Sequence, residues 1–337
     1  MPSDVTQLDE ARLTDYLSQY MDGFEGPLTA KKFSDGQSNP TYMIKAASGP
    51  YVLRRKPPGV LLKSAHAVDR EYRVMQALRD TGVPVAKMGV LCEDENIIGS
   101  MFYIMEYLDG RVLWDATLPE FSKADRAATY AEMCKVLAQL HKVDIDAVGL
   151  SDFGKPGNYY ERQISRWGGQ YRASETEVIP AMDALLEWLP ANLPADDGRV
   201  SLVHGDYRLD NLMFHASEPR IIGVLDWELS TLGHPFADLA YQCMQLRLMG
   251  AEGGLGDLDR EALGIPSEEA YVAQYCEHLG IDGIDNWNFY VVFCFFRLAA
   301  ILQGVKKRAL DGNASSAEAL ERSKNVAPLA EYGFNMI

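Results

Sequence analysis

One stretch constrains the chain more than any other: Leu202 to Glu228, reading LVHGDYRLDNLMFHASEPRIIGVLDWE. A short apolar lead, Ser201 to Val203, delivers His204-Gly205-Asp206, and Asn211 follows five residues after that Asp. The apolar run Ile221 to Leu225 then carries a second acid, Asp226, at its tip. Two short strands flanking a polar loop can bring Asp, Asn and Asp to one mouth. That set suits phosphoryl transfer, in which one Asp orients and deprotonates a hydroxyl while an amide and a second carboxylate hold Mg²⁺ against nucleotide phosphates. Taken singly, His204, Asp206 and Asn211 would read as ordinary loop and cap residues. Their order and spacing make the constellation.

The spacing follows the protein-kinase pattern H-R-D-x-x-x-x-N then D-F-G, with Gly205 in place of Arg and Trp227-Glu228 in place of Phe-Gly. In this form it resembles the aminoglycoside phosphotransferase and choline kinase-like superfamily. The implied fold is α+β, a two-lobed protein kinase-like architecture with a small antiparallel-sheet N-lobe (1–108) and a large, mainly helical C-lobe (109–337). The implied reaction is transfer of a phosphoryl group from ATP or GTP, with Mg²⁺, to a small-molecule hydroxyl. Asp206 would be the base and Asn211 with Asp226 the metal ligands. Arg208 lies where protein kinases keep a Lys that touches the transferred group, and Met213 would lie beneath adenine.

Upstream, Ser34-Asp35-Gly36-Gln37-Ser38-Asn39-Pro40 separates two strand-like segments. It reads either as a plain hairpin turn or as a loop whose N–H groups cover phosphates, with Ser34, Gly36, Ser38 and Asn39 as contacts. It lacks the G-x-G-x-x-G of protein kinases. Alternation in Tyr51-Val52-Leu53-Arg54-Arg55 puts Val52 and Arg54 on one face and Leu53 and Arg55 on the other. By the resemblance, Val52 packs on adenine and Arg54 stands for the strand Lys that grips the α/β-phosphates, a role a guanidinium can keep. A solvated strand end is the other reading, with Arg55 and Lys56 as competitors. A helix from about Ser64 to Arg79, closed by Thr81-Gly82, carries Glu71, which resembles the glutamate that pairs with the strand cation. Val83 to Leu91 and Ser100 to Met105 read as strands. The second enters Glu106-Tyr107-Leu108, similar to the kinase hinge, where backbone at Glu106 and Leu108 would meet the adenine edge.

Beyond Ser122, a helix N-cap, the pattern is helical, and His141 reads as a packed core residue. Residues 149–194 form a helical insert rich in Arg and aromatics, which protein kinases lack and this superfamily has. Arg162 and Arg166, at i,i+4, and Arg172 make either a solvated face or a substrate-facing basic patch. Gly233-His234-Pro235-Phe236-Ala237-Asp238 resembles a superfamily segment whose Asp bonds the catalytic-loop backbone. The apolar run Phe289 to Phe296 stops at Arg297, too short to span a bilayer. Glu318 to Ile337 reads as a capping tail.

Composition narrows the partners. A net charge of −16 (Lys+Arg 32, Asp+Glu 48) disfavours nucleic acid and anionic membranes. Five scattered cysteines without C-x-x-C fit no disulfide framework or zinc site, and a reducing cytoplasm is the expected setting. Together the segments SDGQSNPTYMI, YVLRRKPPG, HGDYRLDNLMF and LDWELSTLGHPFADLAY resemble one branch, the kinase-like domain found ahead of an acyl-CoA dehydrogenase in longer eukaryotic proteins. That resemblance implies a hydroxyacyl-CoA as acceptor and a link to fatty-acid breakdown. Because no dehydrogenase-sized domain follows Ile337, a dehydrogenase partner is expected to be a separate polypeptide. The rival readings are a nucleotide-binding pseudokinase, or an aminoglycoside, fructosamine or protein kinase.

Overall fold

The structure is a computed structural model that describes residues 8–33, 39–57, 67–250, 253–311, 321 and 323–337. It divides into two compact units. The first comprises Met1–Trp114, Asp146–Leu150 and Leu209–Ser230, the second Asp115–Ile145, Ser151–Arg208 and Thr231–Ile337. The sequence-based division at 108/109 placed 209–230 with the helical lobe, whereas by contact this segment groups with the sheet.

The first unit is built on an antiparallel sheet in the order β1-β2-β3-β5-β4, from β1 (Leu28–Lys32), β2 (Thr41–Ala46), β3 (Gly49–Arg55), β4 (Met88–Cys92) and β5 (Phe102–Glu106). Period-2 alternation sends Tyr42, Ile44, Leu53, Phe102 and Ile104 into a core closed by Leu13 and Leu17 of α1 (Glu10–Tyr20). α2 (Val68–Leu78) buries Val68, Glu71, Val74, Met75 and Leu78, one helical face on which a single acid sits among apolar neighbours. The helix opens four residues later than expected, and the Ser64 start lies outside the described residues. Its exit is as expected, with the Thr81 N–H and hydroxyl both donating to the Leu78 carbonyl.

β4 also begins later than the predicted Val83. The chain before it has other partners: the Pro84 carbonyl accepts from Val224 N–H at 2.8 Å and that of Lys87 from Glu106 N–H at 2.8 Å. A second small sheet, β6-β8-β9, joins β6 (Gly110–Val112) to the hairpin β8 (Leu212–His215) and β9 (Ile221–Val224). The approach is close: a Cβ on Gly110 would lie 2.4 Å from the Phe214 carbonyl oxygen.

In the second unit, α3 (Lys123–His141) starts at Ser122, whose hydroxyl accepts from Asp125 N–H at 3.1 Å. The insert resolves into α4 (Tyr159–Ser174) and α5 (Pro180–Ala191). A two-stranded ribbon pairs β7 (Ser201–Val203) with β10 (Thr231–Gly233) and leads into α6 (Phe236–Met244). Then come α7 (Arg260–Leu263), α8 (Glu268–Leu279), α9 (Trp287–Leu310) and α10 (Val326–Phe334), which packs on α9 and α5. The apolar run from Phe289 does not end its element at Arg297, because α9 continues to Leu310. Among the described residues α9 is the one helix long and apolar enough to cross a membrane, yet most of it is buried within this unit, Arg297 included.

Candidate active site

The first unit assembles the acidic and cationic half. Leu212 pairs with Val224, and Leu225 N–H donates to the Asn211 carbonyl at 2.9 Å, so the hairpin brings Asn211 and Asp226 to its open end. Asp226 sits at φ 61°, a left-handed conformation that Asp tolerates better than most side chains. Trp227, fully buried, holds the turn by donating its indole N–H to the Val224 carbonyl at 2.9 Å.

Arg54 reaches this turn from β3. Its Nη2 donates to Asp226 Oδ1 at 2.7 Å, while its Nε lies 2.9 Å from Glu71 Oε2, an ion pair whose angle is too oblique for a hydrogen bond. Glu71 also accepts from Asn39 Nδ2 at 2.7 Å and from the Tyr103 hydroxyl at 3.0 Å. Burial pushes the Glu71 carboxyl up to about 7, against the pull of Arg54, with Asp226 adding to the rise. For Arg54, burial works to lower the pKa, but Glu71, Tyr103 and Asp226 outweigh it and the guanidinium goes up.

The predicted Arg54–Glu71 pair is thus in place. Asn39, expected at a loop tip, is buried, and its side-chain amide donates to Glu71. Ser34, Gly36 and Ser38 lie outside the described residues. Arg55 is not a solvated competitor: it is buried on the opposite face, and its Nε donates to Ser100 Oγ at 2.9 Å. Val52 is buried on the Arg54 face. At the hinge-like segment, the Glu106 N–H is taken by Lys87, and Leu108 packs where a Cβ on Gly223 would lie 2.3 Å from its Cδ1. Met213 flanks the same glycine, so Leu108 and Met213 are brought together.

The second unit holds Asp206, the expected base. Beyond β7 the chain passes His204, Gly205 (φ 85°, a conformation suited to glycine) and Asp206. Asp238, in the first turn of α6, accepts from the N–H of His204 at 2.6 Å and of Gly205 at 2.8 Å, as the resemblance implied. Burial alone would raise its pKa; hydrogen bonding and charge from His141, His204 and the Gly205 N–H bring it down. His141 is a packed core residue, with its ring nitrogens 2.6 Å from the Tyr275 hydroxyl and 3.3 Å from Asp238. His204 is buried, and its Nδ1 accepts from the Asp206 N–H at 3.3 Å. Tyr207 points inward, donating to the Met133 carbonyl at 2.9 Å, while Arg208 is exposed.

Two residues of this half escaped the sequence reading. Arg297 of α9, buried, donates to the Gly205 carbonyl at 2.6 Å, and its guanidinium lies 5.6 Å from the centre of the Tyr241 ring. Tyr241 hydrogen-bonds the Asp206 carboxylate, and burial followed by that negative charge raises its hydroxyl pKa. An Arg closing an apolar run, and a Tyr one helical turn after Asp238, were the visible signals. Each of the three insert arginines has a partner within the insert. Arg162 donates to the Lys155 carbonyl at 2.6 Å, Arg166 lies over Trp167, and Arg172 is paired with Glu175 and Asp183.

The residues fit Mg²⁺ of the kind held mostly by phosphates and water. Asn211 and Asp226 offer two oxygen ligands at one turn, Asp226 Oδ2 is engaged by no described residue, and no group of three or more His, Cys, Asp or Glu that could hold a metal occurs among the described residues.

This fold and this loop are those of the kinase-like phosphotransferases. The chain belongs to the phosphotransferase enzyme family, which it matches over residues 29–286. It is similar to a crystal structure from Ralstonia eutropha assigned to the aminoglycoside phosphotransferases, with 52% identity, 98% of each chain covered and a TM-score of 0.92. A spectinomycin phosphotransferase in complex with ADP and spectinomycin shares the fold at 14% identity and TM-score 0.65, with both chains covered in full. Acyl-CoA dehydrogenase family member 10 of Mus musculus is 50% identical over 329 residues, covering 95% of this chain and 31% of that protein. The chain therefore spans about a third of the length of this relative.

Proposed function

We propose that the chain transfers the γ-phosphoryl group of ATP or GTP to the hydroxyl of a hydroxyacyl thioester such as a hydroxyacyl-CoA. The observation that carries the kinase reading is Arg54 held at once by Glu71 (2.9 Å) and Asp226 (2.7 Å), a cation fixed beside a metal-binding carboxylate. In this reading Arg54 grips the α/β-phosphates, Asn211 and Asp226 hold Mg²⁺, and Glu106, Leu108, Val52 and Met213 surround adenine. Mg²⁺, when bound, neutralises charge on the β- and γ-oxygens. Asp206 takes the acceptor's hydroxyl proton as the new O–P bond forms and the bond to the departing ADP oxygen breaks. A base so placed is worth about 10²–10⁴-fold. Arg208 meets the transferred group.

The thioester part of the proposal is supported by the likeness to a protein named as an acyl-CoA dehydrogenase family member. Phosphorylation turns a hydroxyl into a leaving group, so the product suits a later elimination, with a dehydrogenase acting in the same sequence of reactions. The Ralstonia eutropha likeness favours a second reading, an aminoglycoside acceptor. Incubation of the protein with Mg·ATP and a panel of hydroxyacyl-CoA thioesters and kanamycin, read as ADP release and phosphorylated product, separates the two. Asp206→Asn should abolish transfer while nucleotide affinity stays within a few-fold. Transfer at the original rate would remove Asp206 from the role of base.

A further inference from the structure

Within the second unit, a cavity of about 320 Å³ is lined by Arg208 and Tyr241 together with Leu248, Leu298, Leu302 and Leu329. Its volume falls within the range of small-molecule sites. Tyr241 ties it to the proposed chemistry, since this lining residue also hydrogen-bonds the Asp206 carboxylate. A molecule in contact with Tyr241 here is one side chain away from the base.

The lining sets leucines beside the amides Gln242, Gln245 and Asn325 and one cation, Arg208. Leu298 and Leu302 are one turn apart on α9, so both stand on the same helix face, and Leu329 comes from α10. No Asp or Glu is among the lining residues, in a chain whose net charge is −16. A polycationic sugar would meet the Arg208 cation and several leucines with no lining carboxylate to receive its ammonium groups, and burying an unpaired charge is strongly unfavourable. An apolar body, by contrast, gains from leaving water at these walls.

We propose that this cavity is the acceptor site and that it selects an alcohol carried on an uncharged, largely apolar body. The hydroxyl lies by Tyr241 and Asp206 and the apolar portion among Leu298, Leu302 and Leu329. This rests on the kinase reading and adds to it where the acceptor binds and what kind of molecule it is. The helix of Arg162 and Arg166 is then not the determinant of acceptor choice.

The test uses the full chain with Mg·ATP and short-, medium- and long-chain hydroxyacyl-CoA thioesters as probes, with kanamycin as the polar alternative. For the wild type, kcat/KM should rise with chain length and kanamycin should be a poor acceptor. Leu302→Glu should lower kcat/KM for the medium-chain thioester by roughly tenfold or more, chiefly through KM, as loss of apolar pocket contacts does. Stabilisation by ADP should be unchanged in that variant. Leu302→Ala, a milder change, should move the preference toward longer chains. If both variants keep wild-type kcat/KM and chain-length preference, or if kanamycin is the better acceptor, this assignment is overturned while the kinase reading stands. Absence of nucleotide-dependent stabilisation and of transfer to any acceptor in the wild type would instead overturn the kinase reading, and this site with it.

Discussion

Replacing Arg54 with Met would remove the cation that Glu71 and Asp226 share, and the cost should depend on pH in a way set by Glu71. Breaking a buried ion pair costs about 3–5 kcal/mol. The lower end applies here, because the Asp226 side chain is 34% exposed and water screens that arm. Glu71 is 1% exposed, and its carboxyl already stands at about 7 with Arg54 beside it. Without the guanidinium, burial, Asp226 and Glu228 push it higher still. Above the variant's new pKa, both proteins hold Glu71 ionised and the full penalty of about 3 kcal/mol is present. As pH falls from that value toward 7, folded variant takes up a proton that neither its unfolded chain nor folded wild type binds. The penalty should therefore shrink by about 1.4 kcal/mol per pH unit. Below 7 the wild type protonates too and the difference levels off.

Urea unfolding of both proteins between about pH 6 and 9 gives the penalty directly. Arg55→Met is the control. It is buried against Ser100 with no carboxylate partner among the described residues, so its loss should destabilise by a similar amount that does not vary across this range. A flat penalty for Arg54→Met, or a pH-dependent one for Arg55→Met, would refute the charge arrangement and the strand register behind it.

Two further outcomes follow from the loop and its supports. Asp226→Ala should remove the stabilisation by Mg·nucleotide, about 2.7 kcal/mol at a hundredfold excess over Kd, and an unchanged thermal shift would take Asp226 out of the metal site. Arg297→Met leaves the buried Gly205 carbonyl without its donor and should cost about 1.5–3 kcal/mol of stability. In the folded variant kcat should drop about tenfold or more with nucleotide KM nearly constant, and an undiminished kcat would show that Asp206 is positioned without it.

What could be read in the chain was whatever local spacing determines. The hairpin around Asn211 and Asp226 follows from turn and strand signals within a short segment, and the opposite facing of Arg54 and Arg55 follows from period 2 alone. Alternation says which face a side chain takes, not how deep that face lies, so the burial of Arg55 was invisible. Asn39 and Tyr103 each lie 32 residues from Glu71, and Arg297 lies 92 from Gly205. Contacts of that kind come from tertiary packing and leave no periodic trace. The cavity beside Tyr241 is likewise assembled from α6, α9 and α10, three helices whose apolar faces read in sequence only as core. Arg162 and Arg166 were correctly spaced for a shared face, but their partners, a backbone carbonyl and an indole ring, depend on how the insert folds back.

The membership of residues 209–230 in the sheet unit has a consequence for synthesis. β6 ends at Val112, and its strand partner β8 begins a hundred residues further along, at Leu212. Until that hairpin leaves the ribosome, β6 presents an unpaired edge and Pro84 lacks the Val224 N–H that it accepts. At about 5–20 residues per second, this interval lasts roughly 5–20 s. The first unit is thus begun early yet completed late, by the same hairpin that carries Asn211 and Asp226. A nascent chain halted before residue 209 would expose the edge and lack both Asn211 and Asp226, a form suited to capture by a holdase chaperone.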